Sequence, residues 1–130
     1  MTPKSLKTAR GQSVRLPVMP APATQDLTIT RGDTETVVVN LTSDGTTPIN
    51  VTGRTYTAQL RTSPDISIVS ASFTCSVTNG AGGQITCVMS PAASALLSPG
   101  YYYWDLQENA SGAISTLLSG MVTVIADVTR

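Results

Sequence analysis

The sequence contains no histidine and only two cysteines. The missing histidine excludes a Ser-His-Asp triad, a Cys-His dyad and every metal site that uses imidazole. Two cysteines cannot form a four-cysteine zinc site. No apolar run reaches the roughly 18 residues that a membrane-spanning helix needs, and no glycine-rich phosphate loop occurs. We therefore expect a binding or structural protein with no catalytic residues, no metal and no cofactor.

Charged side chains are also scarce. They make up 12% of the 130 residues, which is half of the usual share of roughly 25%. Threonine, valine and isoleucine are abundant instead, with 20, 12 and 7 residues. These β-branched side chains suit the pleated, half-buried surface of a sheet. The composition predicts an all-β domain, and the length is sufficient for one hydrophobic core.

The few charges are divided unevenly between two regions. Residues 1–25, called the N-terminal segment below, carry four basic side chains and no acidic one, whereas residues 26–130 carry four basic and eight acidic side chains. Four prolines in the N-terminal segment oppose helix formation and remove hydrogen-bond donors. We predict an extended basic arm at 1–25 and a folded body at 26–130.

Two roles are open for the N-terminal segment. It is either a disordered tail or an assembly arm whose charge of +4 complements the charge of −4 on the body. Binding to nucleic acid is a weaker alternative, because four charges without aromatic residues offer few contacts. The candidate partner-binding residues of the arm are its basic side chains and three apolar neighbours: Lys4, Lys7, Arg10, Arg15, Leu16, Val18 and Met19.

The body shows short alternating stretches separated by turns about every 8–12 residues, a pattern typical of a β-sandwich or barrel. Residues 55–62 alternate most clearly, and residues 66–69 predict a weaker strand. Residues 90–97 predict a short crossover helix, with Ser90 as its N-cap and Pro91 as its first residue. We expect a sandwich of seven or eight strands.

One hairpin can be given a register from the sequence. Residues 73–77 and 85–89 alternate on either side of a glycine-rich loop, and the apolar positions face inward together when Cys75 lies opposite Cys87. Directly opposed strand positions are farther apart than a disulfide prefers. The N-terminus shows no secretory apolar stretch, so we expect a reducing compartment. Both thiols are predicted to be free.

An aromatic run at 101–104 supplies the candidate interface residues of the body. Alternation along a strand places Tyr102 and Trp104 in the core and turns Tyr101 and Tyr103 outward. Tyrosine is enriched in protein interfaces. Tyr101 and Tyr103 are therefore the candidate partner-binding residues outside the N-terminal segment.

Two short patterns that look like functional motifs have structural explanations. Arg31-Gly32-Asp33 matches a cell-adhesion tripeptide, but it stands where the first strand of the body must turn. Asp105 and Glu108 could be taken for a catalytic carboxylate pair. They are three residues apart on one strand and point to opposite faces, so we expect no acid–base role.

Four motifs follow one another along the body. Residues 27–34 form a short strand that leads into Arg-Gly-Asp-Thr, and residues 44–50 form an Asp-Gly-x-x-Pro-Ile-Asn turn. Residues 100–106 match Gly-x-Tyr-x-aromatic-Asp-Leu, and residues 120–124 match Gly-x-Val-x-Val. This order resembles the small immunoglobulin-like domains of tailed bacteriophages, especially the N-terminal domain of upper baseplate proteins. The resemblance covers about residues 27–129.

The resemblance implies an immunoglobulin-like β-sandwich and a non-enzymatic structural role in a phage particle, as a tail or baseplate adaptor or a fibre-anchoring module. It implies other virion proteins and copies of this chain as partners, no small-molecule substrate, no membrane, assembly in the host bacterial cytoplasm and a place in the virion. A capsid decoration protein is the alternative within the structural class. A carbohydrate-binding module that uses Tyr101 and Tyr103 is the alternative from a different class, which glycan binding by the isolated domain would reveal.

Overall fold

The computed structural model describes residues 23–43 and 46–129, together with the backbone of residues 11–17. The predicted all-β, sandwich-like class is confirmed, because nearly all regular structure in these residues is strand. The elements are β1 (Gly11–Pro17), β2 (Ala23–Thr24), β3 (Leu27–Thr30), β4 (Glu35–Thr42), β5 (Thr55–Arg61), β6 (Ala71–Asn79), β7 (Gln84–Met89), α1 (Pro91–Ala95), β8 (Gly100–Ala110) and β9 (Ala113–Ile125). The body thus contributes seven strands, β3 to β9.

The strands form two layers that share β6. The first layer runs β1-β4-β7-β6, and the second runs β6-β5-β8-β9, with β2 and β3 both paired to β9. The first residues of β6 pair with β5, and the later ones pair with β7. Most pairs are antiparallel, whereas β1 beside β4, and β2 and β3 beside β9, are parallel. The more specific immunoglobulin-like designation remains a prediction.

The core lies between the layers and follows the alternation seen in the sequence. Every second residue of each central strand is buried. The odd-numbered residues face inward in β4 and β7, and the even-numbered residues face inward in β5 and β8. The inward side chains of the four central strands are Val37, Val39, Leu41, Ile85, Cys87, Met89, Tyr56, Ala58, Leu60, Tyr102, Trp104 and Leu106. Burial of these apolar surfaces is the main stabilising term of the fold.

The predicted hairpin register is confirmed from Thr74 to Val77, whereas Phe73 pairs with Ala58 of β5 and not with Met89. Cys75 lies opposite Cys87 and Val77 lies opposite Ile85, with an irregularity beyond Val77 where the strands enter the loop. The loop residue Gly83 has a φ of 69°, and a Cβ there would lie 2.6 Å from the Leu41 carbonyl oxygen. Glycine is therefore needed for both the backbone conformation and the close approach to β4.

The weaker strand predicted at 66–69 is wrong. These residues form no strand, and Ile68 is 74% exposed. Both sides of β5 are already paired, with β6 on one side and β8 on the other. The apolar stretch therefore has no open edge of β5 to join, and it runs over the surface between Arg61 and Ser70.

The helix α1 is the predicted crossover between β7 in the first layer and β8 in the second. The Ser90 hydroxyl accepts the Ala93 N–H at 3.1 Å, as expected of an N-cap, and Pro91 follows it. Ser94 is fully buried, accepts the Gly32 N–H at 3.0 Å and donates to the Asp33 carbonyl at 2.7 Å. The helix thus holds the Arg31-Gly32-Asp33 turn in place, which supports the structural explanation of that tripeptide.

Trp104 connects the second layer to the chain that precedes the body. Its indole N–H donates to the Gln25 carbonyl at 2.7 Å, and its ring centroid lies 5.8 Å from the ring centroid of Phe73. A Cβ on Gly120, directly opposite Trp104 on β9, would collide with the Gln25 carbonyl. Residues 23–25, which we assigned to the N-terminal segment, therefore pack as part of the body.

Trp104→Ala is expected to lower the free energy of unfolding by about 3–5 kcal/mol, the usual range for a buried aromatic residue. Tyr103→Ala, the neighbouring change on the outer face, should stay within about 0.5 kcal/mol of wild type. Urea denaturation followed by circular dichroism measures both values. Equal midpoints for Trp104→Ala and wild type would show that the indole is not part of the core.

Both cysteines are expected to react as free thiols after unfolding, and Cys87 is expected to react only then. Cys87 is fully buried, and the adjacent Cys75 thiol together with burial raises the pKa of Cys87 far above its ordinary range. Alkylation in denaturant without reductant should add two adducts by mass spectrometry. Cys87 should remain unmodified in the native protein, and a denatured protein with no adduct would establish a disulfide.

Candidate binding surface

An exposed apolar patch covers the outer face of the β8–β9 hairpin near its open end. Tyr101 is 70% exposed, Tyr103 41%, Met121 42% and Ile125 49%. Tyr103 lies directly opposite Met121 in the ladder, and Tyr101 lies opposite Thr123. We call these four large side chains the tyrosine face. Their outward direction confirms the alternation predicted for this strand.

A cleft of about 530 Å³ borders the tyrosine face. Its floor is a row of polar side chains across three strands, in which Asp105 of β8 lies between Gln59 of β5 and Ser119 of β9. Tyr103 and Met121 line one end. Most of the surface inside the cleft is apolar, so it combines hydrophobic walls with a few polar groups, as ligand and peptide sites do.

The turn after β5 and the chain at the end of β2 form the sides of the cleft. Pro64, in the turn after β5, stands on one side, and Thr24 and Asp26 stand on the other. The Asp26 carboxylate is held in position because it accepts the Met121 N–H at 3.0 Å. Asp26 directly follows Gln25 in the chain. The hydrogen bond between the Trp104 indole and the Gln25 carbonyl therefore also holds Asp26 at the rim of the cleft.

The charges of the cleft are two carboxylates and one guanidinium. Arg61 donates to the Gln59 side-chain oxygen at 2.9 Å and to the Ile66 carbonyl at 2.9 Å. Burial raises the pKa of Asp105, and the charge of Arg61 partly offsets that rise. Within the described part of the chain, no group donates a hydrogen bond to the Asp105 carboxylate. The cleft thus carries a net charge of −1 when both carboxylates are ionised.

Glu108 shows how the same strand treats a carboxylate on its inner face. It is buried, accepts the Tyr56 hydroxyl at 2.7 Å and pairs with Arg54 at 3.2 Å. Burial and this hydrogen bond raise the pKa of Tyr56 above its ordinary range. Asp105 and Glu108 point to opposite faces as predicted. Glu108 is fully engaged in a structural cluster, whereas Asp105 faces the cleft.

The structure places the predicted partner-binding residues in different parts of the molecule. Tyr101 and Tyr103 lie on the outer face of the second layer. Arg15 and Leu16 belong to β1, whose backbone pairs with β4 in the first layer, so the structure does not bring them to the tyrosine face. Lys4, Lys7, Arg10, Val18 and Met19 lie outside the described residues.

Of the residues that line the cleft, only Tyr103 was a predicted binding residue; Trp104 was predicted as core, and Asp105 was given no role. Gln59 and Arg61 occupy outward positions of β5, which alternation could have indicated. Their position beside Asp105 depends on the pairing of β5 with β8, and Asp26 depends on the path of the chain before β3. Neither can be read from a local pattern.

The described part of the chain shows neither a metal-binding cluster nor a membrane-spanning helix. No group of three or more cysteine, aspartate or glutamate side chains there is arranged to hold a metal ion. No helix in the described ranges is long and apolar enough to cross a membrane.

No protein-family model matches the chain, and no curated protein matches it. Among solved structures, the N-terminal domain of phage TP901-1 ORF48 is similar over 91% of this chain and 98% of that one, with 17% identity and a TM-score of 0.49. InlP of Listeria monocytogenes is similar over 89% of this chain, with 24% identity and a TM-score of 0.44. The antigen BSR4 of Toxoplasma gondii is similar over 96% of this chain, with 12% identity and a TM-score of 0.44.

This chain spans 28% of the InlP chain and 52% of the BSR4 chain. At these identities and TM-scores, the three likenesses assign no function to it.

Asp105→Asn is expected to stabilise the protein at pH 7. The pKa of the Asp105 carboxyl in the native protein is raised above 3.8, its ordinary value in the unfolded chain. Stability is therefore lost as the pH rises above that value and through the raised native pKa. Urea midpoints should be higher for Asp105→Asn than for wild type at pH 7, and the difference should vanish near pH 3.

Asp65→Asn is the control for the change in net charge, because Asp65 is exposed in the turn beside the cleft. A midpoint of Asp105→Asn below that of wild type at pH 7 would contradict the raised pKa. A difference of equal size at both pH values would contradict it too.

Proposed function

We propose that this protein is a non-enzymatic structural component of a tailed-bacteriophage particle. In this role it is an adaptor at the tail or baseplate, which holds neighbouring subunits or a fibre through protein–protein contacts. The motif order at residues 27–129 supports the phage assignment. The tyrosine face supports the contact role, and it is the observation on which that role depends.

The tyrosine face has the composition of an interface centre. It presents two tyrosines and a methionine, residues that are enriched at protein interfaces, with no charged side chain among its four members. Contiguous apolar surface on a soluble domain commonly marks a site that a partner covers. The surrounding outward positions of β3 and β9 are threonines, such as Thr28 and Thr123, which suit the polar rim of such a contact.

The N-terminal segment is the second contact element of the proposal. Its strand β1 runs parallel to β4 at the edge of the first layer. Three of its four basic side chains precede β1 in residues 1–10. A chain with a basic terminus and an acidic body can associate with copies of itself, and repeated weak contacts add in a ring.

The protein should be found in purified particles of the phage that encodes it, at a fixed ratio to the other structural proteins. Quantitative mass spectrometry of gradient-purified particles measures that ratio. Particles that lack the protein would overturn the virion assignment. Specific binding of the isolated protein to a host cell-wall polysaccharide would instead favour glycan recognition.

Changing Tyr101 and Tyr103 together to serine should reduce incorporation into particles at least about ten-fold, because hot-spot tyrosines commonly contribute 2 kcal/mol or more. Ile114→Ser is the matched control, since Ile114 is 59% exposed at the other end of the same hairpin. Incorporation is measured by complementing a phage that lacks the gene. Equal incorporation of the double variant and the control would remove the tyrosine face from the assembly contact.

A further inference from the structure

The cleft beside the tyrosine face has an unusual combination of groups. It holds an outward carboxylate that is partly buried, an aromatic ring at its end and apolar walls. Partial burial of Asp105 has a cost in stability, because removing a carboxylate from water disfavours its charged form. Such a cost is commonly retained where the group serves binding. The features of this cleft therefore call for a ligand that supplies positive charge.

The cation that already lies in the cleft, Arg61, offsets the cost of the buried Asp105 carboxylate only in part. The Arg61 guanidinium is directed to Gln59 and to the Ile66 carbonyl. Asp26, at the rim, uses one carboxylate oxygen for the Met121 N–H and leaves the other available to a ligand. The ionised carboxylates of Asp26 and Asp105 carry one more charge than the Arg61 guanidinium neutralises, so one further positive charge would balance the cleft. A net negative charge disfavours a phosphate or a carboxylate as the natural occupant.

A lysine or arginine side chain fits both kinds of surface in the cleft. Its aliphatic stem can pack on Pro64 and Met121, while its charged head reaches Asp105. The Tyr103 ring adds a favourable contact for a cation over its face. A cavity of about 530 Å³ has space for such a side chain together with adjoining backbone.

We propose that the cleft receives a basic side chain from residues 1–10 of a neighbouring copy of this chain. The proposal rests on the assembly role argued above and names the surface that the N-terminal segment binds. Residues 1–10 carry Lys4, Lys7 and Arg10 and no acidic residue, so their charge is opposite to that of the cleft. Tyr103 belongs to both the cleft and the tyrosine face, so a contact at the cleft would be continuous with a contact at the tyrosine face.

Zero-length cross-linking of the full-length protein tests this contact. A carbodiimide joins a lysine amine to a carboxylate with loss of water, and only where the two groups meet. Equal amounts of ¹⁵N-labelled and unlabelled protein are mixed, cross-linked at low ionic strength and digested with chymotrypsin. Cross-links from Lys4 or Lys7 to Asp105 or Asp26 should be found, and about half of them should join a labelled to an unlabelled peptide.

Matched variants identify the carboxylate. Asp105→Asn should remove the links to position 105 and lower the total yield of these links at least about five-fold. Asp65→Asn makes the same change of charge in the neighbouring turn and should leave the yield unchanged. An excess of a synthetic peptide of residues 1–10 should suppress the mixed links, whereas a peptide with glutamine in place of Lys4, Lys7 and Arg10 should not. Salt at 1 M should weaken them, because the Debye length falls to about 3 Å.

Two results would overturn the proposal. Links confined to peptides of one isotope would show that the segment occupies the cleft of its own chain. The absence of links to Asp105 and Asp26, while links to Asp65 form, would show that the cleft is not the docking site.

The outcome can be separated from the fate of the proposed function. Deletion of residues 1–10 removes no described residue and should prevent incorporation into particles. Normal incorporation of Asp105→Asn together with loss of incorporation by the deletion would reject the cleft and retain the assembly role. Particles without the protein would reject the assembly role whatever the cross-links show.

Discussion

The hydrogen bond from the Trp104 indole to the Gln25 carbonyl determines how the second layer of the fold is completed. The indole is buried, so its N–H must find a partner inside the protein. That partner is backbone from before the first strand of the body, and Gly120 leaves the space through which this backbone passes. From there the chain continues into β3 and pairs with β9. The core, the edge of the second layer and the rim of the cleft therefore depend on one donor and one glycine.

The central strands could be predicted from the sequence because apolar and polar residues alternate along a half-buried strand, and this alternation is visible within a few residues. Tyr56, Ala58 and Leu60 show this alternation in β5. The opposed cysteines also indicated the register between β6 and β7. The stretch at 66–69 carries a similar apolar pattern without forming a strand. Its failure is physical, because pairing requires an open edge, and the sequence of the stretch holds no information about whether β5 has one.

The cleft could not be predicted because its floor is assembled from three strands. Gln59, Asp105 and Ser119 become neighbours only through the pairing of β5, β8 and β9. The contact between Trp104 and Gln25 joins residues 79 positions apart. Outward tyrosines were visible in the sequence, but their chemical surroundings were not. Strand β8 shows the same limit in its carboxylates, since nothing local indicates that Glu108 is paired with Arg54 and Tyr56 while Asp105 faces a cleft.

The parallel pairing of β3 with β9 has a mechanical consequence. The two strands point in the same direction and lie side by side, from Leu27 beside Val122 to Thr30 beside Ile125. A tension applied through the two ends of the body pulls β3 backward and β9 forward along their common axis. The hydrogen bonds between them are then loaded together in shear rather than opened one after another. A domain joined in this way resists extension along the chain.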